Sequence, residues 1–246
     1  MDAIDGLLFL PGMMCDWRLF APQIAHLGGS YALGIADLSK DDTIQAMAKR
    51  ALDAAPPRFV AVGLSMGGIV GFEIWRQAPD RVRGLVLMDT NARAESPARQ
   101  AARLKQIEKV RAGELRDVMA EEMKPLYLGA AHRHDQAILQ TVLRMAMELG
   151  AEVFVRQSIA LRGRPDSLVC LPDIACPVLL ICGAEDQLCP PAQHRQIATD
   201  MGCASLQVIA GAGHLPTLEA AAAVNGALGA FLSSHFIQLK RKGRHA

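Results

Sequence analysis

The strongest constraint on the fold is the alternation of short apolar runs with segments of helical periodicity. Residues 6–10, 58–62 and 83–88 are apolar along most of their length, which is typical of strands buried on both faces of a parallel sheet. Between them, residues 41–54 and 66–77 carry apolar side chains at helical spacing. Strands that alternate with helices predict an α/β fold, with a mostly parallel sheet of about six strands flanked by helices.

A long insertion interrupts this alternation. Residues 91–172 contain no strand-like run and instead show helical patterns, after which strands return at 177–181 and 204–209. The insertion leaves from the carboxyl end of the strand at 83–88, the edge at which open α/β sheets bind ligands. We therefore predict a core domain formed by residues 1–90 and 173–246 and a helical cap formed by 91–172. A helical layer packed at the sheet edge is the alternative.

Composition excludes several classes of partner. Lys and Arg number 26 and Asp and Glu 25, giving a net charge of +1, so the chain has no overall attraction for nucleic acid or acidic membranes. We expect the basic segment 240–244 to be a solvated end rather than a nucleic-acid patch. No apolar run reaches the roughly 20 residues of a membrane span, and the amino-terminal residues do not resemble a signal peptide.

The six cysteines form no C-x-x-C pair and have no histidines at zinc-finger spacing. Without an export signal, we interpret them as reduced thiols in a cytoplasmic protein. We expect no metal and no other cofactor. The composition leaves a monomer or a homodimer equally open.

Gly63-Leu64-Ser65-Met66-Gly67 matches the pattern G-x-S-x-G. It follows a predicted strand and opens a predicted helix, as a nucleophile elbow does. Glycines permit the close backbone approach of such a turn, and the N-terminus of the helix offers N–H donors to a developing negative charge. The motif predicts a nucleophilic Ser65; a glycine-rich packing turn is the alternative.

With this motif in place, the chain resembles the α/β-hydrolase superfamily over residues 6–232, in particular its small serine esterases with a helical cap. The resemblance implies an acid after the strand at 177–181 and a histidine after the last strand. Carried over to this sequence, they are Asp186 in Gly-Ala-Glu-Asp and His214 in Gly-Ala-Gly-His. Glu185 and Asp89 remain alternatives for the acid. Among the seven histidines, only His214 lies in a glycine-flanked loop between a strand and a helix.

The resemblance also implies an oxyanion hole formed by two backbone N–H groups, those of Met66 and Met13. Relatives commonly have His-Gly in the first loop, whereas this chain has Pro11-Gly12. Four methionines in the insertion could pack in its core or face the cleft. They are Met119, Met123, Met145 and Met147.

These residues predict a serine hydrolase that cleaves a small carboxylic ester through an acyl-enzyme intermediate. A serine at position 65 argues against the haloalkane dehalogenases and epoxide hydrolases of the superfamily, whose nucleophile is an aspartate. Lactone, thioester and carbon–carbon bond hydrolysis on the same triad remain alternatives. A non-catalytic ligand receptor is a further alternative from a different class.

Overall fold

A computed structural model of the protein describes residues 2–238; the basic segment 240–244 lies outside them. Six parallel strands form the main sheet, in the spatial order β3-β2-β4-β5-β6-β7. Their bounds are β2 Gly6–Leu10, β3 Leu33–Ile35, β4 Phe59–Leu64, β5 Val82–Met88, β6 Val178–Gly183 and β7 Ala204–Ile209. The predicted α/β fold with a parallel sheet of about six strands is confirmed.

Two further short strands lie outside this sheet. β1 (Asp2–Ile4) pairs in parallel with β8 (Phe236–Gln238), forming a two-stranded sheet that the sequence pattern does not predict. The apolar run at 31–36 predicts a further strand, but β3 begins only at Leu33. The Tyr31 N–H instead donates to the Leu27 carbonyl and continues the end of the preceding helix.

Helices cover both faces of the main sheet. They are α1 Ala21–Leu27, α2 Ile44–Ala54, α3 Met66–Gln77, α8 Pro191–Met201, α9 Pro216–Glu219 and α10 Ala221–His235. The sequence pattern at 217–232 predicts one helix. The structure has two there, because Ala220 takes a non-helical conformation between them.

The strands of the sheet bury both of their faces. Along β2, Leu8 and Leu10 belong to one hydrophobic cluster, while Leu7 and Phe9 belong to a second cluster on the opposite face. This explains why the strand reads as a continuous apolar run rather than as an alternating one.

Residues 91–172, which we call the insertion, are helical as expected. The insertion contains α4 Pro97–Arg111, α5 Leu115–Asp117 continued by a π-helical segment at Val118–Met123, α6 Gln136–Leu149 and α7 Ala151–Arg162. Apolar residues of α4 and α7 such as Ile107 and Phe154 share a hydrophobic cluster with Leu10 of β2. The insertion is thus packed on the body of the molecule, beside the carboxyl end of β5. Within residues 2–238, no helix has both the length and the apolarity that crossing a membrane requires.

Candidate active site

Ser65 stands at a sharp turn between β4 and α3. Its backbone has φ 56° and ψ −113°, a left-handed conformation that is uncommon for a residue with a side chain. The turn is held by a hydrogen bond from the Ser65 N–H to the Met88 carbonyl, 2.8 Å. A Cβ on Gly67 would collide with the Leu10 carbonyl, so only glycine permits this approach of helix and strand. The structure therefore has the elbow geometry that the motif predicts.

His214 and Asp186 extend from Ser65 as a continuous chain of hydrogen bonds. His214 Nε2 lies 2.9 Å from Ser65 Oγ, and His214 Nδ1 lies 2.9 Å from Asp186 Oδ2. An ionised carboxylate only accepts hydrogen bonds, so Nδ1 carries the ring proton and Nε2 is free to accept from the Ser65 hydroxyl. The structure brings together the three side chains that the sequence singles out.

Asp186 is held as an anion in a buried position. Burial raises the pKa of Asp186, but the interactions with His214 and the N–H groups of Cys189 and Leu188 outweigh it. The net pKa of Asp186 therefore lies below its ordinary value. Its Oδ1 accepts from the Leu188 N–H at 2.8 Å and from the Cys189 N–H at 3.1 Å, which leaves Oδ2 for His214.

The two alternative acids have other partners. Asp89, fully buried at the end of β5, accepts from the Gly183 N–H at 2.9 Å. Burial, followed by the repulsion of the nearby Asp186 carboxylate, raises the pKa of Asp89 well above its usual range. Glu185 accepts from the Ala130 N–H at 2.6 Å. Neither carboxylate is the one bonded to His214.

The two backbone N–H groups that the sequence predicts for an oxyanion hole belong to segments next to Ser65. Met66 is the first residue of α3, and its N–H has no acceptor within the helix. The loop that carries Met13 lies against Ser65, since a Cβ added at Gly12 would be only 3.6 Å from Ser65 Cβ. Among the residues described, no protein oxygen accepts from the Met13 N–H.

Ser65 and His214 open into a cavity of about 260 Å³. Residues of the insertion line much of it, from α4, the π-helical segment, the loop around Tyr127 and the end of α7. Of the four methionines of the insertion, Met123 lines the cavity, whereas Met119 and Met145 are fully buried in the hydrophobic clusters. Met147 is partly buried against the core. The cavity is large enough for a small substrate only.

Three contacts that sequence reasoning missed hold the site from the side of the insertion. The Tyr127 carbonyl accepts from the His214 N–H at 2.7 Å, and the Tyr127 ring stacks on the His214 ring at a centroid distance of 5.9 Å. Gln157 of α7 accepts from the Met14 N–H at 2.8 Å and donates to the Leu38 carbonyl at 3.0 Å. These residues fix the histidine and the Met13 loop.

Glu219 provides the third contact. Its buried carboxylate accepts from the N–H groups of Gly213 at 3.0 Å, Leu215 at 3.1 Å and Gly129 at 2.7 Å. It thus ties the two neighbours of His214 to the insertion. A sequence signal exists for this residue, an acid five positions after the histidine at the start of a helical pattern. Tyr127 and Gln157 have no comparable signal.

Two groups of side chains have the spacing of metal ligands: Asp186 with Cys189 and His214, and Asp89 with Cys182 and Asp186. In each group the ligand atoms lie within 4.8 Å of one another. Burial raises the pKa of both Cys182 and Cys189 well above the ordinary value of a thiol, which disfavours the thiolate that a metal binds. The hydrogen bonds of Asp186 also occupy its two oxygens. The donor sets therefore fit a hydrogen-bonded acid better than a metal site. All six cysteines are free.

Comparison with known proteins shows the family of the chain. Residues 7–227 match the model of the alpha/beta hydrolase family. The chain therefore belongs to this family, and it is a hydrolase.

Two similar proteins are esterases, and a third shares the fold. A pimeloyl-[acyl-carrier protein] methyl ester esterase of Xanthomonas oryzae pv. oryzae is 30% identical over 243 residues, covering 93% of this chain and 95% of its own. A thermophilic esterase from Thermogutta terrifontis, solved with malate bound, superposes with a TM-score of 0.85 at 28% identity, covering 96% of this chain and 93% of that one. The enol-lactonase of Burkholderia xenovorans LB400, at 23% identity and a TM-score of 0.81, shares the fold. The two esterases support ester cleavage by an α/β hydrolase.

Proposed function

We propose that this chain is a serine hydrolase that cleaves a small carboxylic ester through an acyl-enzyme intermediate. The observation that carries the proposal is the unbroken hydrogen-bond chain from Ser65 through His214 to Asp186, at the base of a cavity. The esterase relatives at 30% and 28% identity favour an ester as the substrate.

In this mechanism Ser65 Oγ attacks the ester carbonyl carbon while His214 Nε2 takes the hydroxyl proton. The negative charge that develops on the carbonyl oxygen is stabilised by the N–H groups of Met13 and Met66. When the carbon–oxygen bond breaks, His214 gives the proton to the leaving alcohol, and the acyl group stays on Ser65. Water then attacks the acyl-enzyme with His214 as the base, which releases the acid and restores Ser65.

Asp186 is our choice for the acid of the triad. It orients the His214 ring, keeps the proton on Nδ1 and stabilises the imidazolium that forms during each proton transfer. Its lowered pKa suits this role, because the group must stay ionised. Asp89 is better suited to stay neutral, since burial and Asp186 raise its pKa.

We further propose that residues 91–172 act as the cap of the site, because several of them line the cavity. The six free cysteines favour the cytoplasm, where thiols remain reduced. A small ester-like molecule as the partner, and a monomeric or homodimeric state, remain predictions.

Labelling with a fluorophosphonate tests the nucleophile directly. The wild-type protein should bind one equivalent of the probe and lose esterase activity, whereas Ser65→Ala should remain unlabelled. Ser233→Ala, a change at an exposed serine of α10, is the matched control and should label normally. An unlabelled wild-type protein would favour the receptor alternative.

The reaction class is then determined with a substrate panel. p-Nitrophenyl esters of increasing chain length are compared with lactones, thioesters and vinylogous diketones at equal concentration. We expect the highest kcat/KM on esters. A higher value on a lactone, a thioester or a diketone would replace the ester by that substrate class and leave the triad unchanged.

A further inference from the structure

The cavity has an unexpected concentration of positive charge. Arg99, Arg103 and Arg164, all from the insertion, line the same cavity as Ser65 and His214. Glu95, whose side chain is fully buried, is the one carboxylate paired with two of them: it accepts from Arg164 Nη1 at 2.8 Å and from Arg103 Nη2 at 3.2 Å. The single negative charge of Glu95 thus compensates only one of the two guanidinium charges paired with it.

The other acid on this side of the cavity has partners of its own. Glu122 accepts from Lys109 Nζ at 2.6 Å and from Gln106 Nε2 at 3.1 Å. Its charge is therefore balanced by Lys109 and does not offset the arginines. Three arginines of the insertion line the cavity, and Glu95 is the carboxylate paired with two of them, so this group has an excess of two positive charges.

Arg99 and Arg103 have donors to spare. They lie four residues apart on α4, so they occupy the same face of the helix, where two like charges repel each other. In the described part of the chain, the Arg99 guanidinium has no hydrogen bond and no ion pair. Arg103 Nη1 donates only to Met13 Sδ at 3.4 Å, and a thioether is a weak acceptor.

We propose that Arg99 and Arg103 form a binding subsite for a carboxylate, and that the preferred substrates are monoesters of dicarboxylic acids. The inference rests on the proposed function, because the ester group must lie at Ser65 while the free carboxylate lies at the arginines. Guanidinium groups bind carboxylates through paired, charge-assisted hydrogen bonds. The same cavity also has an apolar lining that suits a chain of methylene groups: Ile69, Met123, Leu126, Leu161 and Leu188.

We assign the carboxylate to the acyl chain of the ester, on the side of the cavity where Arg103 lies next to Met13. Arg103 contacts Met13, the residue whose N–H we propose as an oxyanion donor. Arg164 is pinned by Glu95 and by the Arg93 carbonyl, to which its Nε donates at 2.9 Å. Arg103 is held by Glu95 as well, through Nε and Nη2. Arg164 and Arg103 therefore supply positive potential, Arg103 keeps its Nη1 group for a ligand, and Arg99 supplies a guanidinium group with no partner.

The test compares two substrates that differ only at the distal end, monomethyl adipate and methyl hexanoate, with hydrolysis followed by proton release. We expect the wild-type protein to favour the charged ester in kcat/KM by about tenfold or more, as a charge-assisted hydrogen bond allows. Arg99→Gln should reduce that ratio severalfold, through KM on the charged ester. Arg111→Gln, on the same helix but away from the cavity, should leave the ratio unchanged. High salt should lower the ratio in the wild-type protein.

A wild-type ratio near one, or an Arg99→Gln ratio equal to that of the wild type, would overturn the subsite. Calorimetry on the Ser65→Ala protein separates this result from a failure of the proposed function, because binding needs no turnover. Monomethyl adipate should bind this variant more tightly than methyl hexanoate, and Arg99→Gln in the same background should remove the difference. Hydrolysis of both esters without discrimination would keep the serine hydrolase and reject the carboxylate site.

Discussion

The sheet side of the cavity and the insertion side hold their residues in different ways. On the sheet side, Ser65, Asp186 and His214 each stand on a loop that directly follows a strand, and close backbone packing determines their positions. On the insertion side, polar contacts between distant parts of the chain determine the positions of the residues. One example is the ion pair of Arg164 with Glu95.

This difference suggests that the sheet side of the cavity determines the chemical step and the insertion side determines substrate selectivity. A turn that only glycine can form leaves one arrangement of the nucleophile, so the sheet side is suited to fixed chemistry. Side chains that reach across the cavity can be exchanged without changing the turn, so the insertion side is suited to substrate choice. Variants on the sheet side should therefore change kcat, whereas variants on the insertion side should change KM and the substrate profile.

The largest expected effect is that of Ser65→Ala. Removal of the hydroxyl closes the covalent route, and hydrolysis should fall by about 10⁶-fold in kcat, as in other serine hydrolases that lose the nucleophile. The fold should persist, because one small polar atom at a cavity is lost. Circular dichroism and an ester assay on the same preparation check both statements. Substantial retained activity would show that Ser65 is not the nucleophile and that the sheet side of the cavity does not hold the catalytic group.

Asp186→Asn should cost about 10⁴-fold in kcat, because an amide no longer fixes the His214 tautomer. A pH profile of kcat accompanies the assay, with Glu185→Gln as the matched control on the neighbouring residue. The control should retain most of its activity, since Glu185 bonds Ala130 rather than His214. A larger loss in the control would mean that the acid has been chosen wrongly.

Glu219→Gln tests the contact that joins the two sides. The amide cannot accept from Gly213, Leu215 and Gly129 in the same way, because its NH₂ end faces donors. We expect a loss of about 10²-fold in kcat through displacement of His214, with little change in KM. Asn225→Asp, a polar change on the following helix, is the control. An unaltered kcat would show that the loop keeps its position without Glu219.

Met123→Trp should alter selectivity without disturbing the fold. Met123 lines the cavity, so the larger ring should raise KM for long esters severalfold more than for acetate. Met119→Trp is the matched change at a fully buried methionine. It should lower the free energy of unfolding by about 1–3 kcal/mol. The dependence of KM on ester chain length should remain that of the wild type. If Met119→Trp changed the ester selectivity and Met123→Trp only lowered the stability, Met123 would not be the methionine that contacts the substrate.

The smallest effect on activity is expected for Asp89→Asn, whose clearest signal is in stability. An acid with a raised pKa in the folded state binds more protons there than in the unfolded chain, so its contribution to stability is lost as pH rises above about 4. Asparagine cannot ionise. The variant should therefore gain stability relative to the wild type as pH rises from 5 to 8, measured by urea unfolding at several pH values. A difference independent of pH would mean that Asp89 is ionised in the folded protein.

Much of the sheet side follows from the sequence. The helix at Met66–Gln77 and the strand at Ala204–Ile209 have the bounds that the pattern predicts, because buried strands and amphipathic helices leave a local periodicity. Ser65, Asp186 and His214 lie together because each lies in a loop that follows a strand of the same parallel sheet. Their roles in catalysis remain predictions.

The insertion side was decided by tertiary structure. The sequence predicts that residues 91–172 are helical, since that depends on spacing within each segment, but it does not predict which helix face meets the cavity. Met123 and Met119 are only four residues apart, yet one lines the cavity and the other is buried. The π-helical segment that carries both residues shifts the angular spacing of its side chains.

The sequence by itself determined the sheet, the elbow at Ser65 and the order of the three polar residues, because each depends on short-range sterics and on strand polarity. Only the tertiary structure decided that Glu95 is shared by Arg103 and Arg164, and that Gln157 holds the Met14 loop from 143 positions away. The physical reason is that a buried charge or amide takes whichever partner the packing brings within about 3 Å. No local pattern in the chain encodes that partner.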